Sequence, residues 1–403
     1  MIIKPSISVL SSDRVEARID LDLFCRSYSD APESLALEGA VAFSPLINSH
    51  DHLIGNWFPR AGDKRPYHNS HIWVEDMKSS FSFQERNQFW FNDGSFDLSV
   101  PHALVLAQLG CYKSLFGGAA TVQDHGPNQA PLYYDSMPIS VLKDYRQCHS
   151  ITMENWWGGE SPEAEMQLSA GKIPYIIHLG EGTDNVTRAE FSELTRRKLL
   201  QANTLLIHGI AFTEDELRQI AAAKASVCWC PTSNYYLIGE TLKVEAALQA
   251  GVNVCIGTDS TMSGGINLIS EFILAHEKFP ALPLSTLYKM ASENGAKALM
   301  LPPRYGFLQP DRTENMLLMD LVDRDPFRTL LAAEAENIRL LVRDGIPLFG
   351  DSQWLEWLDV DMEKYSTFRT GSREKFVIGD PQELNDRIDA VLGYHKDFPY
   401  LPF

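Results

Sequence analysis

Positive charge is scarce in this sequence. Lysine and arginine number 35 against 53 aspartates and glutamates, a formal net charge of −18 over 403 residues. A chain so acidic repels phosphate backbones, which argues against a nucleic-acid partner. Cysteine is also sparse: Cys25, Cys111, Cys148, Cys228, Cys230 and Cys255 are scattered, mostly through apolar segments. They form no disulfide framework and read as reduced core thiols of a cytoplasmic protein. Cys228 and Cys230 have the spacing of a metal pair, but no second pair completes such a site. No apolar run approaches the roughly 18 residues that span a bilayer, so no membrane association is expected. The opening MIIKPSISVLSSDRVE has neither a long apolar stretch nor a small-residue cleavage site, and predicts no signal peptide. Internal repeats, low-complexity tracts and the glycine fingerprint of dinucleotide-binding folds are missing too.

What is present is a rhythm. After AVAFSPLINSHDHL comes an excursion over residues 53–100, rich in Trp, Phe, Asn and Arg and poor in periodicity; long excursions often carry function. Strand-like AATVQDHG, QCHSITMEN, IPYIIHLGEG, TLLIHGI, SVCWCPTSN and NVCIGTDS then alternate with amphipathic helical segments. Thr213 and Glu216 predict a capping box at the start of one of these helices. Continuous apolar strands alternating with helices predict a buried parallel sheet. Six or seven such units, the third and fourth hard to separate, favour a TIM-type (β/α)8 barrel over an open sheet. The barrel is expected over residues 41–300. Short strands in 1–40 and 301–360 predict a small split β-sandwich domain built from both chain ends, and 361–403 reads as a C-terminal helical extension.

Polar residues recur where these strands end: His50 and His52 on one, then His178, His208 and Asp259 on others. In a barrel, strand C-termini converge on one face, where active sites form. Histidines at i and i+2 on a strand point the same way and reach one ion together. A third histidine and an aspartate complete a mixed N/O shell suited to zinc or another borderline divalent metal.

In their order along the chain, INSHDHL, HLGEG, LIHGI, CPTSN and IGTDS, with MASENGAKALM and IRLLVRDGIPLFGD beyond, resemble the amidohydrolase superfamily over roughly residues 40–350. The likeness is to its cytosine deaminase, guanine deaminase and triazine hydrolase branch. The resemblance implies that His50, His52, His178 and Asp259 hold one divalent metal, zinc first, with iron or manganese as alternatives. It makes Glu181 the general acid/base, His208 a hydrogen-bond partner of the attacking water or the substrate, and Asp259 also the acceptor of that water's proton. It implies an enzyme that attacks carbon with metal-activated water and releases a nitrogen group from a small molecule, deamination of a nitrogen heterocycle leading. Hydrolysis of amides or cyclic amides and dehalogenation are the alternatives, and a catalytically silent metal-binding protein is a third. A homodimer is expected only by analogy with similar enzymes.

The sequence also departs from the family pattern. No lysine follows QCHSI at a strand end to bridge two metals, which favours one; Glu154 is the alternative bridging residue, with His208 then a full ligand. Asp311 and Glu314-Asn315 replace the glycine and Ala-Asp usual near the closing segment. His125, Trp57, Arg60, Asn234 and Glu154 are the candidates for substrate contact. Ser233 sits with Asn234 where the family shapes the pocket, and Lys64, Arg65, Trp73 and Trp156, with Trp57 and Arg60, supply aromatic and cationic groups near the expected mouth.

Overall fold

The computed structural model describes residues 1–91 and 94–403. Eight parallel strands form its centre: β1 (Leu46–Asp51), β2 (Ala119–Asp124), β3 (Ser140–Val141), β4 (Arg146–Ser150), β5 (Tyr175–Leu179), β6 (Thr204–His208), β7 (Ser226–Trp229) and β8 (Asn253–Ile256). They pair in sequence order as two parallel arcs, β1 to β3 and β4 to β8. Every residue of β1, β2 and β5 to β8 is buried, as expected for strands covered on both faces. The third strand is only two residues long, which explains why the hydropathy pattern does not separate it from the fourth. Beyond the end of β8, the N–H groups of Thr258 and Asp259 both donate to the carbonyl of His50, at 3.1 Å each, so the last strand is tied back to the first. Gly257 permits that approach: a Cβ there would lie 2.8 Å from the His50 backbone nitrogen and oxygen.

The predicted helix start is found, and a second cap of the same kind accompanies it. Glu214–Ala223 opens with the Thr213–Glu216 capping box, and Leu268–Lys278 opens with a second reciprocal cap between Asn267 and Ser270.

The two chain ends build one continuous nine-stranded sheet rather than two separately paired ones. Its order is Tyr365–Thr370, Arg373–Ile378, Ile346–Asp351, Ile338–Arg343, Met316–Asp320, Ser34–Phe43, Ile2–Ser11 and Arg14–Ala17, with Leu21–Asp22 also paired to Ile2–Ser11. The stretch AVAFSPLINSHDHL is divided at Ser44-Pro45: Ser34–Phe43 belongs to this sheet and Leu46–Asp51 to the parallel arcs. Proline has no N–H to extend a ladder, so the chain changes sheets there. The reading of 361–403 as helical is corrected over 365–378. Those residues form an antiparallel pair of strands at the sheet's edge, with mostly half-buried or exposed side chains that leave little apolar pattern to read. Only Pro381–Leu392 of that region is a long helix, and beyond it Tyr400 Oη and Lys396 Nζ donate to the carbonyls of Asn56 and Trp57.

The described residues of 53–100 form a roof over the strand ends. A 3₁₀ turn, Leu53–Trp57, is followed by α1 (Ser70–Met77), capped by Asn69, and α2 (Phe81–Trp90), capped by Ser80. Next comes α3 (Pro101–Leu115), whose second half is buried on every side. The Ser70 N–H donates to the Glu181 carbonyl at 3.0 Å, docking α1 onto the loop after β5.

Candidate metal centre and active site

Strand geometry brings five predicted residues together. Donor atoms of His50, His178 and His208 lie within 4.8 Å of one another, as do those of His50, His52 and Asp259. His50 is common to both groups. It is fully buried, and neither of its ring nitrogens has a hydrogen-bond partner among the described residues. Buried polar atoms are rarely left so, and a metal ion is one group that would satisfy this one. The other histidines are each fixed through Nδ1: His52 against the His125 carbonyl at 2.7 Å, His178 against the His149 carbonyl at 2.7 Å, and His208 against Asn234 Oδ1 at 2.8 Å. With Nδ1 occupied, Nε2 faces the cluster, the arrangement that orients metal-binding imidazoles.

Electrostatics favour the forms a metal needs. Burial holds His50 and His178 well below the usual imidazole range, with the neighbouring histidines adding to the effect. Both are neutral at pH 7 and offer lone pairs. Burial alone would raise Asp259, but His52, His208, the Ser260 N–H and the Ser233 hydroxyl outweigh it and hold the carboxyl below its ordinary value. Ser233 and Ser263 donate to Oδ2 at 2.8 and 3.0 Å, while Oδ1 accepts from the Ser260 N–H at 2.6 Å and faces His52 Nε2 at 3.9 Å. His208 and Asp259 also hold positive φ, +73° and +56°, unusual for residues with side chains. Such strain persists where surrounding structure enforces it, and it clusters at functional sites. Glu181 shows the opposite shift. Burial, with Asp259 adding to it, raises its carboxyl above the usual range, and Oε1 lies 3.5 Å from His208 Nε2.

The residues present therefore fit a divalent ion with mixed nitrogen and oxygen ligands. Beneath them runs a buried network. Lys113 Nζ, on α3, pairs with Asp51 at 2.8 Å, both side chains fully buried, and donates to the Asp259 carbonyl at 3.2 Å. Asn48 and Thr258 donate to the same Asp51 carboxylate at 3.2 and 2.9 Å. Nothing in the sequence pattern singles out Lys113.

A pocket enclosing about 600 Å³, mouth included, opens over this cluster, lined by His52, His178, Glu181, His208 and Asp259 below and by Trp73, Phe83, Arg86, Trp90, Trp156 and Trp157 above. Trp73 and Trp156 are among the expected mouth residues. Phe83, Arg86, Trp90 and Trp157 were not singled out, because aromatic residues in an aperiodic stretch look the same whether they pack a core or line a site. His149 also lines the pocket, and the strand-end rule that marks His50 and His178 would have marked it.

Four candidates for substrate contact stand elsewhere. Glu154 lies on the surface, its side chain 59% exposed and paired with Arg197 at 3.1 Å, which also removes it as a bridging ligand. Trp57 is buried against Phe58 and Phe89, in the core behind the pocket. Arg60 points along the outside, donating to the carbonyls of Ser263 and Gly264 at 3.3 and 3.1 Å. His125 stacks on His178 at 4.3 Å between ring centres and contacts the Cys148 carbonyl at 3.2 Å, beneath the cluster. Asn234 acts on His208, as described above.

Known proteins share this architecture. The chain is 31% identical over 341 residues to a 5-methylthioadenosine/S-adenosylhomocysteine deaminase of Moorella thermoacetica, covering 72% of this chain and 74% of the other. It is 24% identical over 408 residues to a 5′-deoxyadenosine deaminase of Methanothermobacter thermautotrophicus, covering 89% and 92%. Among solved structures, the zinc complex of atrazine chlorohydrolase TrzN from Arthrobacter aurescens superposes with a TM-score of 0.72 at 18% identity, covering 97% of this chain and 99% of that one. The amidohydrolase family model matches residues 163–348, the segment that carries His178, Glu181, His208 and Asp259. The sequence match across both chains and the strand-end histidines lead to one assignment: the chain belongs to the amidohydrolase family, whose members are metal-dependent hydrolases.

Proposed function

We propose that this enzyme deaminates a nitrogen heterocycle, with one zinc ion per chain held by His50, His52, His178 and Asp259. The observation that carries the reading is the combination of a buried His50 beneath the pocket, without a hydrogen-bond partner among the described residues, with a Glu181 carboxyl in the pocket wall raised by burial. The names of the relatives supply the substrate class, since they act on 6-aminopurine nucleosides or their thioethers. When bound, the metal supplies a water whose pKa is lowered towards about 7.

The chain's own residues do the rest. Ser233 and Ser263 fix Asp259 Oδ2, and Oδ1, which among the described residues accepts only the Ser260 N–H, keeps a lone pair to take a proton from the attacking water. Glu181, kept protonated at neutral pH more readily than an ordinary glutamate, gives a proton to a ring nitrogen or to the departing amine. His208, oriented by Asn234, keeps Nε2 towards Glu181 and the developing charge. The roof of tryptophans closes over a flat aromatic ring and excludes water. In this reading the eight parallel strands close as a barrel, residues 1–40 and the region after 300 form the accompanying β domain, and the enzyme is cytoplasmic.

The test is ammonia release from a panel of 6-aminopurine nucleosides, aminopyrimidines and cyclic amides, using zinc-, iron- and manganese-loaded enzyme with metal content measured. Release from at least one aminopurine or aminopyrimidine at one metal per chain is expected. Ring opening of a cyclic amide without ammonia from any amine would overturn deamination, and two metals per chain would overturn the single-ion site.

A further inference from the structure

Arg86 is the only lysine or arginine among the described residues that line the pocket. It is buried, at 4% exposure, on α2. Its guanidinium lies between two rings, 3.3 Å from the centre of Phe83 and 4.1 Å from that of Trp90. Nε and Nη2 donate to Asn87 Oδ1 at 3.1 and 2.7 Å, and no described residue accepts from Nη1. No carboxylate pairs with it among the described residues, although the chain carries a net −18. Burial depresses the guanidinium to about 9.

A buried cation without an anion is costly. Phe83 and Trp90 offset part of that cost through their π faces, but ring faces do not satisfy N–H groups at the guanidinium edge. A chain that only needed to join two turns of α2 would do so with an apolar residue at lower cost. The planar fork matches an oxyanion in two-point contact. One guanidinium balances one negative charge, and Glu181 and Asp259 share the pocket, so a singly charged group suits it better than a dianion.

Resting on the deaminase reading for the ring itself, we propose that Arg86 is a specificity-determining residue that binds a carboxylate carried by the heterocyclic substrate. The substrate then has two ends: a flat amino-bearing ring over Glu181 and Asp259, and an anionic arm held beneath the roof by Arg86.

The test compares 3-phenylpropionate with 3-phenylpropionamide, matched in shape and differing in charge, on the zinc-loaded full chain. Binding is followed by the fluorescence of the pocket tryptophans. The carboxylate is expected to bind about 10-fold tighter or more, in line with a hydrogen bond to a charged group. R86Q brings the ratio close to one, and R86K, which keeps the charge and loses the fork, leaves a reduced preference. Equal affinities in the unsubstituted enzyme would overturn the proposal. So would a preference that survives R86Q unchanged, since the anion would then sit on the metal. If R86Q does not fold, as judged by circular dichroism, an unchanged ratio in R86K overturns it instead. Ammonia release from adenosine and from adenosine 5′-carboxylate is measured alongside. Release from neither substrate sinks the deaminase reading for this pair, while the phenylpropionate ratio still decides the role of Arg86.

Discussion

Below the pocket, Asp259 is held by two serine hydroxyls and a backbone N–H, His208 by Asn234, and His52 and His178 by main-chain carbonyls, with the Lys113–Asp51 pair beneath. Above it, Phe83, Arg86, Trp90, Trp156 and Trp157 meet mainly through ring faces and edges, as between Trp90 and Phe96 at 5.9 Å or Trp156 and Trp157 at 6.0 Å. Hydrogen bonds fix an atom to a few tenths of an ångström and are lost abruptly, whereas ring contacts tolerate sliding. The floor therefore has the build of a part that performs one reaction, and the roof that of a part that fits a particular substrate. Family membership follows the floor, and in the proposed function substrate choice follows the roof.

The comparison breaks most decisively at Asp259. Asp259→Asn keeps the size and removes the negative charge that, in the proposed function, serves both the ion and the water. Turnover is expected to fall by roughly 10⁴-fold or more, measured as steady-state ammonia release with metal content determined in parallel. Activity within tenfold of the unsubstituted enzyme would mean that the floor is scaffold and the chemistry lies elsewhere. Glu181→Gln separates metal binding from proton transfer. Its kcat is expected to drop by about 10²–10⁴-fold with an unchanged metal content. Near-normal turnover would remove Glu181 from the reaction.

The two layers were unequally legible in the sequence, for a physical reason. A residue at the end of an apolar strand is marked by contrast: His50, His52, His178, His208 and Asp259 each interrupt a hydrophobic run, and the parallel topology brings such ends together. The roof has no such background. In residues 53–100 aromatic, charged and polar residues mix without period, so Trp57 and Trp90 look alike, yet one is core and the other lines the pocket. Glu154 was misplaced for a related reason: it follows strand β4 by four residues, with a positive φ of +48°, and the turn carries it out to Arg197. The two strands over 365–378 escaped notice because an exposed edge pair has little hydrophobic alternation to show.

Lys113 tests the floor through its support, from beneath Asp51 and the Asp259 main chain. It is a lone cation in the apolar helix α3, fully buried and paired with Asp51. Lys113→Met leaves Asp51 buried without its partner, and is expected to cost about 3–5 kcal/mol of stability in urea denaturation. Pairing it with Asp51→Asn, which removes the stranded charge, should recover more than half of that loss. A single substitution that costs less than 1 kcal/mol would show that water or rearrangement already satisfies Asp51, and that the floor is looser than its hydrogen bonds imply.

The smallest effect is expected at the rim of the roof. Trp156 is 41% exposed and touches His149 and Phe91 by ring contacts at 5.6 and 5.9 Å. Trp156→Leu retains apolar bulk but loses the flat face on which a heterocycle would stack, an interaction of about 0.5–1.5 kcal/mol. KM should rise by roughly 2–10-fold while kcat stays within about twofold, because binding of this kind is made equally in the ground and transition states. A fall in kcat with KM unchanged would reverse the assignment. Trp156 would then hold something that matters only as the bond breaks, and the line between a floor that reacts and a roof that selects would have to be drawn higher in the pocket.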